Sequence, residues 1–471
     1  MTFSSYVRPE MLPEQAPPIR ESGAVRWLRE NLFSGPVNTM LTLLGLAIVV
    51  WLVQAAYPWL RQSVWVADSL QECRAITIAT WGEGATGACW AMIRERWTQF
   101  VFGFYPSHLY WRPTVALLLL FVSLAPILFS AVPRQLLWLT VIYPALAVWL
   151  MWGGSFWGPA LITLTILAAI QTFRILARNH GPLLAAGGAA LLVVLLYLDP
   201  LSGLKNLIGG VLGLFSADPV LLDFRLFGWQ VRDAFPLIPH LQAVLDTVLP
   251  LSLEAVRSDK FGGFVLALTI GVSGIVLSLP LGILLALGRQ SDMFLIKAMS
   301  VGFIEFIRGV PLITLLFVAS LLLNYFLPPG TNFDIILRVI IMVTLFAAAY
   351  IAEVVRGGLA ALPRGQYEAA DSLGLNYWNA QRLIILPQAL KISIPGIVST
   401  FIGMFKDTTL VVFVGLLDPL KGITDAVRAD IDWKGIYWEP YIFVASIFFI
   451  FNFSMSRYSM YLERKLKTDH R

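Results

Sequence analysis

The chain has 471 residues, of which 58% are hydrophobic and only 13% are charged, and its mean hydropathy is +0.74. A soluble domain carries about 25% charged residues, so this composition excludes an ordinary soluble protein and predicts an all-α polytopic membrane protein. The net charge of +5 does not indicate nucleic-acid binding, because the Lys and Arg residues are dispersed at the ends of apolar segments rather than clustered.

The N-terminal part begins with a polar tail over residues 1–36 that holds four arginines, and Met1 is not followed by a short apolar stretch with a cleavage site. We therefore expect no signal peptide and a cytoplasmic N-terminus, because arginines ahead of a first span favour the inner side of a membrane. About 20 helical residues cross the hydrocarbon layer. On that length, the region 37–198 is predicted to hold five spans: Val37–Ala56, Thr114–Val132, Leu136–Trp152, Ala160–Ala177 and Leu183–Leu198.

Two long loops interrupt these spans. The loop 57–112 holds both cysteines of the chain, Cys73 and Cys89, without CxxC spacing or a His cluster, so a metal site is not indicated. If this loop lies outside the cytoplasm, we expect a disulfide between them, with two unpaired thiols as the alternative. A second extracytoplasmic connector is expected over residues 199–261, with interfacial or re-entrant helices at Leu207–Phe215 and Leu237–Leu253.

The region 262–457 is predicted to hold five more spans: Phe264–Leu287, Val310–Phe326, Ile335–Val355, Ser393–Leu417 and Pro440–Ser456. Counting ten spans from a cytoplasmic N-terminus brings the basic segment 458–471 to the cytoplasmic side as well, in agreement with the positive-inside rule. The same count places the polar segment between the third and fourth of these spans in the cytoplasm.

This polar segment has a distinctive pattern, formed by Glu368, Ala369, Ala370, Asp371, Leu373, Gly374, Ile384, Leu386 and Pro387. Glu368 and Asp371 can share one helical face, beside small or apolar contact points. Gly374 suits a turn between two short helices, and Pro387 suits the first turn of the next helix. The pattern predicts a helix-turn-helix on the membrane surface that docks into a partner. A purely structural Ala-rich helix with a glycine turn is the alternative.

The spacing of these residues resembles the EAA loop of permease subunits of ABC importers. In that family the loop is a coupling helix that seats in a groove of the ATP-hydrolysing subunit, so the resemblance implies an ATPase-coupling role for the pattern. Arg308-Gly309-Val310-Pro311 and Gly365-Gln366 add to the resemblance, which covers roughly residues 262–457. The run from Lys406 to Leu410 is similar to a motif of polar-amino-acid permeases, and the long N-terminal half looks most like their broad-specificity L-amino-acid branch.

Ionisable residues inside apolar spans cost about 2.5–3.5 kcal/mol each to insert, so they usually face protein, water or a ligand. Lys406 and Asp407 lie in the middle of a predicted span and are followed by Thr408 and Thr409. A neighbouring cation and anion could complement the carboxylate and ammonium of an amino acid, which makes these four residues candidates for the substrate path. An ion pair that fastens two helices is the alternative.

Two further pairs, Glu353 with Arg356 and Glu305 with Arg308, have i, i+3 spacing. Such spacing is first of all typical of a salt bridge within one helix, and a place on the substrate path is the second interpretation. Arg338 is expected to snorkel to the headgroups. An interface belt is expected from Trp149, Trp152 and Trp157.

No catalytic residue, metal or cofactor is expected on the chain itself. A Gly-Lys dipeptide is absent from the sequence, so a P-loop cannot be built, and there is no nucleophile elbow or metal-binding His pair. ATP and Mg²⁺ are therefore expected on a partner subunit, and the chain is not expected to be an enzyme.

The sequence thus predicts a permease subunit of an ABC importer for polar L-amino acids in the bacterial plasma (inner) membrane. The resemblance implies a dimer of ATP-binding subunits, a second and non-identical permease subunit, and an extracytoplasmic amino-acid-binding protein as partners. An ion-coupled secondary transporter would need no docking segment and usually shows paired repeats, which we do not find. This transporter and a non-transporting scaffold subunit of an ABC complex are the alternatives.

Overall fold

The computed structural model describes residues 23–129, 131–197, 225–226, 229–230, 237–322 and 334–467. The expected helix Leu207–Phe215 lies outside these residues. The first half of the chain is built of helices with two-residue strands between them. These elements are α1 Gly23–Asn31, α2 Pro36–Arg61, α3 Leu70–Trp81, α4 Ala91–Phe102, α5 Trp111–Leu128, α6 Leu137–Trp152, β1 Gly154–Ser155, α7 Trp157–His180, α8 Pro182–Tyr197, β2 Arg225–Leu226, β3 Trp229–Gln230, α9 Leu237–Val248 and β4 Ser252–Leu253.

The described part of the second half consists of helices joined by short turns and extended segments. Its α-helices are α10 Gly263–Gln290, α11 Phe294–Gly309, α12 Leu312–Phe317, α13 Ile335–Ala360, α14 Arg364–Ser372, α15 Tyr377–Ala380, α16 Leu386–Asp407, α17 Pro419–Ala429 and α18 Trp438–Lys467. Two π-helical segments, Val318–Leu322 and Gln381–Ile385, follow α12 and α15, and a 3₁₀-helix, Thr408–Val414, follows α16.

Eight helical stretches in the described part are long and apolar enough to cross a membrane, or nine if the bent pair formed by α11 with α12 and its π-helical extension counts as one. The apolar helix α8 is 16 residues long and is too short for the same test. With α8, the total is ten apolar segments, which agrees with the expected number. The all-α polytopic architecture is therefore confirmed.

The expected span Val310–Phe326 lies within the described residues only up to Leu322, where it is helical from Leu312. It is the second arm of a pair that also includes Phe294–Gly309, and the two arms are bent by 103°. Val310 is extended, with φ −109° and ψ 132°, because the Pro311 ring disfavours a helical residue before it. The apolar composition alone could not show that two helices at a steep angle share this stretch.

Helices α10 and α13 are packed more closely than ordinary side chains allow. A Cβ atom added to Gly282 of α10 would lie 2.6 Å from Cγ2 of Ile351 on α13. Small residues let helix backbones approach in this way within a membrane, where packing rather than water exclusion drives association. The close contact brings the C-terminal ends of α10 and α13 near each other.

The chain separates into two compact units. The first consists of Met1–Arg96 and Ala426–Ile442. In this unit Cys73 and Cys89 form a disulfide, and the backbone N–H of Cys89 donates to Oε1 of Glu439 at 2.8 Å. The indole of Trp433 is buried and donates to Glu95 at 3.0 Å. The loop after the first span is therefore covalently stapled and hydrogen-bonded to the segment that precedes the last one.

The second unit consists of Trp97–Asp425 and Phe443–Arg471. One apolar core in it joins residues of α5 and α6, such as Ala116 and Leu150, to residues of α10 and α13, such as Ile270 and Val343. This differs from the sequence-based division, which separates a region 37–198 from a region 262–457, because the early helices bury their apolar faces against the later ones.

Two of the three tryptophans that are expected to form an interface belt, Trp152 and Trp157, also form hydrogen bonds within the protein. Trp152 stacks on Phe261 with ring centroids 4.7 Å apart and donates to the Ser258 hydroxyl at 2.8 Å. Trp157 donates to the carbonyl of Leu249 at 3.0 Å. Tryptophan is frequent both at membrane interfaces and in buried seams, and sequence alone does not separate the two.

Candidate functional site

The predicted helix-turn-helix forms between two spanning helices and is named here the coupling segment, residues 364–380. It consists of α14, a short turn and α15. Gly374 in the turn has φ +68°, a left-handed conformation that glycine adopts without strain, and its N–H donates to the carbonyl of Asp371 at 2.9 Å. The N–H of Leu375 reaches back to the carbonyl of Ala370 at 3.3 Å. The sequence therefore closes α14 with a glycine C-cap motif.

One face of the coupling segment is anchored and the other is open. Ala370 is buried, and the side chain of Gln366 accepts a hydrogen bond from Gln388 of α16 at 2.9 Å. Glu368 is exposed, and Leu373 is 72% exposed at the turn. The aromatic rings of Tyr377 and Trp378 are about half exposed. A polar helix thus presents an acidic residue and three large apolar side chains to its surroundings.

The residues that follow anchor the segment to the interior. Ile385 is fully buried, and Ile384 and Leu386 pack on the same apolar cluster. Pro387 occupies the first turn of α16, where its missing N–H costs nothing. The helical stretch that contains the span begins earlier than the expected Ser393, because the π-helical segment and α16 continue the helix without a break. Burial raises the pKa of the Tyr367 hydroxyl, so this residue stays neutral beside the cluster.

A second group of polar side chains connects α10, α11 and α13 through ion pairs. It is named here the charge cluster and consists of Arg289, Glu305, Arg308, Glu353 and Arg356. Glu353 lies at its centre, and 17% of its side chain is exposed. Its Oε1 is 2.7 Å from Nη1 of Arg289, and its Oε2 is 3.1 Å from Nε of Arg356 and 3.7 Å from Nη1 of Arg308. One carboxylate therefore ties three helices together.

The structure corrects one pairing in this cluster. Glu353 and Arg356 do form the i, i+3 salt bridge that their spacing indicates. Glu305 instead pairs with Arg289 at 2.8 Å, and Arg308 turns toward Glu353 and lies 5.6 Å from the ring centroid of Tyr350. The charges on a neighbouring helix compete with the local partner, so i, i+3 spacing on α11 does not fix the pairing.

The residues Lys406, Asp407, Thr408 and Thr409 lie where the helix changes type. Helix α16 ends at Asp407, and the 3₁₀-helix begins at Thr408, within the candidate span Tyr377–Val414. The hydroxyl of Thr408 donates to the carbonyl of Phe405 at 2.7 Å, and that of Thr409 donates to the carbonyl of Lys406 at 2.9 Å. Within the described residues neither Lys406 nor Asp407 forms an ion pair, so the alternative of a pair that fastens two helices finds no support there.

Comparisons with known proteins decide the family. Residues 278–468 match the family described as binding-protein-dependent transport system inner membrane component. Over 471 residues the chain is 61% identical to the glutamate/glutamine/aspartate/asparagine transport system permease protein BztC of Rhodobacter capsulatus, and the match covers 100% of both chains. The chain belongs to this family.

The permease is also 37% identical to the inner membrane amino-acid ABC transporter permease protein YhdY of Escherichia coli, over 95% of this chain and 94% of that protein. A crystal structure of an amino acid ABC transporter with histidines is 31% identical and covers 42% of the permease and 90% of that chain, with a TM-score of 0.38. The recognition of the chain as an ABC-importer permease of the amino-acid type is confirmed by the family and the two full-length relatives. It is a multi-pass inner membrane protein.

Two residues of the permease were missed by sequence reasoning. Arg289 and Tyr350 belong to the charge cluster, yet no motif marks them. Only a few residues separate α10 from α11, and this short turn could have predicted an antiparallel helix pair with Arg289 opposite Glu305. Tyr350 has no such signal, because its contact with Arg308 depends on the crossing of α11 and α13.

The expected snorkelling of Arg338 is wrong. Arg338 is 7% exposed, and its guanidinium donates to the carbonyl of Ser320 at 3.1 Å in the π-helical segment after α12. The buried guanidinium therefore has a backbone carbonyl as a partner inside the protein instead of a headgroup. Among the described residues, no group of three or more His, Cys, Asp or Glu side chains could hold a metal ion.

Proposed function

We propose that the permease translocates polar L-amino acids across the bacterial plasma membrane, driven by ATP hydrolysis on a partner dimer of ATP-binding subunits. The observation that carries this proposal is the coupling segment, which is exposed between two spanning helices and bears the full EAA pattern. The segment and both termini are then cytoplasmic, and the stapled loop with Cys73 and Cys89 lies outside, where a disulfide persists.

The open face of the coupling segment suits a groove on an ATP-binding subunit. Leu373, Tyr377 and Trp378 supply apolar contacts, and exposed Glu368 supplies a charge at the rim. Aromatic anchors within a polar rim are typical of protein interfaces. The Gln366–Gln388 hydrogen bond and the buried Ile385 then transmit a movement of the segment to α16. ATP and Mg²⁺ bind the partner, and this chain needs no cofactor of its own.

Two more partners complete the importer. The family depends on a binding protein, which would deliver the substrate to the outer face of the permease. A second permease subunit, non-identical to this one, would form the other half of the path in a heterodimer. The substrate would cross between the two subunits, so neither chain alone encloses it.

The substrate class rests on the relatives and on the polar residues inside the spans. The protein BztC is named for glutamate, glutamine, aspartate and asparagine, all of which are polar amino acids. Lys406, Asp407, Thr408 and Thr409 lie at a change of helix type within a span, where a broken helix usually marks a transport site. The polarity of these residues would offset part of the dehydration cost of a zwitterion.

Purification of the permease with its bound subunits, followed by reconstitution in proteoliposomes, tests the proposal. We expect co-purification of a soluble ATPase and a second membrane chain, and uptake of glutamate or glutamine that requires internal ATP and external binding protein. Uptake driven by an ion gradient without ATP would show a secondary transporter instead. ATP hydrolysis without any uptake would show a scaffold subunit.

The assignment of the substrate path has its own test. Lys406→Ala and Asp407→Ala, made singly, should each lower uptake at least about tenfold, because each removes a charge that complements one end of the zwitterion. The amounts of co-purified ATPase and partner permease should stay at the wild-type level. If assembly falls in parallel with uptake, the two residues are structural.

A further inference from the structure

The short helix α1, Gly23–Asn31, lies directly before the first candidate span, α2. Hydrogen bonds fix the turn between the two helices. The N–H of Leu32 donates to the carbonyl of Leu28 at 2.9 Å, and the hydroxyl of Thr42 in α2 donates to the carbonyl of Leu32 at 2.8 Å. Because α2 is long and apolar enough to cross a membrane, this turn holds α1 near the membrane surface at which the span begins.

One side of α1 is apolar and uncovered. Val25 and Leu28 share this side, because residues three apart lie on one helical face. These two residues, Trp27 and Phe33 of the following turn are each between 41% and 58% exposed. No residue of α1 is buried, so the described part of the chain does not cover this side. An uncovered apolar side beside a span is typical of a helix that lies in the membrane interface, where aromatic rings sit at the level of the headgroups.

Another side of α1 carries the charges. Arg26 and Glu30 form an i, i+4 salt bridge at 2.8 Å, and exposed Arg29 forms no ion pair with any described residue. The bridge pairs one charge of each sign, so the guanidinium of Arg29 remains for another anion. Guanidinium presents parallel N–H donors that match phosphate oxygens, and a phospholipid headgroup supplies a phosphate at this depth.

The first span has little else to hold it in place. No residue of α2 is buried in the described part of the chain, whereas α10 and α13 bury many of theirs. The tilt and rotation of a span are set by packing against neighbouring helices and by interfacial residues. For α2 the packing is missing within the described residues, so the interfacial contact at its N-terminal end gains weight.

We propose that α1 is a phospholipid-binding anchor of the permease. Its apolar side lies among the upper acyl chains of the leaflet at which α2 begins, and Arg29 binds a lipid phosphate. This contact sets the depth of the N-terminal end of the first span. One side of a helix of 9 residues offers far less than the roughly 800 Å² per partner that a stable protein interface buries, which favours lipid over a protein as the cover.

A fluorophore on single introduced cysteines tests where α1 lies. The full-length permease is reconstituted in nanodiscs of phosphatidylethanolamine and phosphatidylglycerol. Cys73 and Cys89 are disulfide-bonded, so without reductant only the introduced thiol reacts. A label at Leu28→Cys should be quenched by a lipid with a nitroxide near its headgroup at least about twofold more strongly than a label at Glu30→Cys. Glu30→Cys is the matched control, because it is equally exposed and lies on the charged side of the same helix.

Three results would overturn this position. Equal quenching of both labels by the lipid, or strong quenching of both by aqueous iodide, would place α1 in solvent. A label at Leu28→Cys that neither quencher reaches would show that a protein surface covers it. Because the measurement uses neither ATP nor substrate, its outcome is independent of the proposed function.

The phosphate contact and the anchoring of the span are tested with variants. Arg29→Gln should lower the lipid quenching of the label at Leu28→Cys by about twofold, and Arg29→Lys should retain part of it. Leu28→Asp should change the ratio of shallow to deep nitroxide quenching of a label at Leu44→Cys in α2. An unchanged signal in Arg29→Gln would contradict the phosphate contact, and an unchanged ratio in Leu28→Asp would contradict the anchoring.

Discussion

The coupling segment and the charge cluster are both polar, yet they are built in opposite ways. Four ion pairs from three helices converge on Arg289 and Glu353 in the cluster, and the central carboxylate is mostly buried. In the coupling segment, Glu368 is exposed and forms no ion pair within the described residues. Glu353, which stabilises the fold, therefore has several ion-pair partners within the chain. Glu368, which we expect to contact another subunit, has none among the described residues.

The largest effect expected from this contrast comes from Glu353→Gln. Three guanidinium groups would lose their shared carboxylate, and breaking a buried pair costs about 3 kcal/mol at the lower end of the usual range, which suits partly exposed partners. Thermal unfolding of the purified complex in detergent should show a clear loss of stability. Uptake should fall with it.

Glu368→Gln is the matched variant, because it makes the same chemical change on an exposed residue. It should alter stability by less than about 0.5 kcal/mol, as is usual for surface substitutions. Uptake per hydrolysed ATP should nevertheless fall strongly, since the partner loses a contact. If the two variants change stability and uptake to the same extent, the proposed difference between the charge cluster and the coupling segment is wrong.

The next effect concerns the Cys73–Cys89 disulfide, which lies outside both the coupling segment and the charge cluster. Cys73→Ser removes a disulfide that closes a loop with a sequence separation of 16, and the expected loss is about 2 kcal/mol or somewhat more. The loss should appear as faster proteolysis within residues 62–96 rather than in the coupling segment. Labelling of intact cells with a membrane-impermeant maleimide should need prior reduction. Labelling without reductant would contradict the bond, and no labelling after reduction would contradict the external position of the loop.

A smaller effect is expected from Gly374→Val. The left-handed φ of +68° disfavours a branched side chain by about 1–2 kcal/mol, although nothing lies within 4 Å of an added Cβ. The turn should shift while the permease still inserts, so that ATP hydrolysis continues with less uptake. Gly45→Val in α2 is the control, because that site is equally open and has an ordinary φ. Equal uptake in the two variants would argue against coupling through the turn.

The smallest effect is a pH dependence at Asp418, a buried carboxylate that caps α17 instead of meeting arginines. Its oxygens accept the N–H groups of Leu420 and Lys421. Burial raises the pKa of Asp418, and these N–H groups oppose the rise only in part. The folded state therefore holds the proton more tightly than the unfolded one, and stability falls as the pH rises from about 4 through the raised pKa.

Unfolding of the purified complex measured at several pH values checks this effect. Asp418→Asn keeps an acceptor for the two N–H groups and should flatten that part of the stability profile. Asp418→Ala also loses the cap and should cost about 1 kcal/mol at every pH. An Asp418→Asn profile with the same slope as the wild type would assign the pH dependence to another group.

The sequence predicts the coupling segment well because that segment is local. Gly374, Pro387 and the acidic face lie close together along the chain, so their roles follow from turn and helix chemistry. The existence of most spans is equally accessible, since membrane length and apolar composition indicate them, although several helices extend well beyond the expected ends. The family resemblance supplies the docking partner, which geometry alone could not name.

The charge cluster could be predicted only in part, because it depends on how helices cross. Glu353 and Arg356 are paired as their spacing indicates, whereas Glu305 and Arg308 exchange partners with residues of other helices. The partner of Arg338 is likewise a residue of another helix, because its guanidinium donates to the carbonyl of Ser320, 18 residues earlier in the chain. Long-range contacts of this kind leave no pattern in a single sequence.

The glycine contact between α10 and α13 limits how the permease can change shape. With Gly282 packed against Ile351, we expect these two helices to resist sliding past each other and to move together. The angular change of a transport cycle then concentrates at hinges outside that pair. The kink at Val310-Pro311 and the switch to 3₁₀ geometry at Thr408 are two places in the described core where the backbone already departs from a regular α-helix, beside the two π-helical segments.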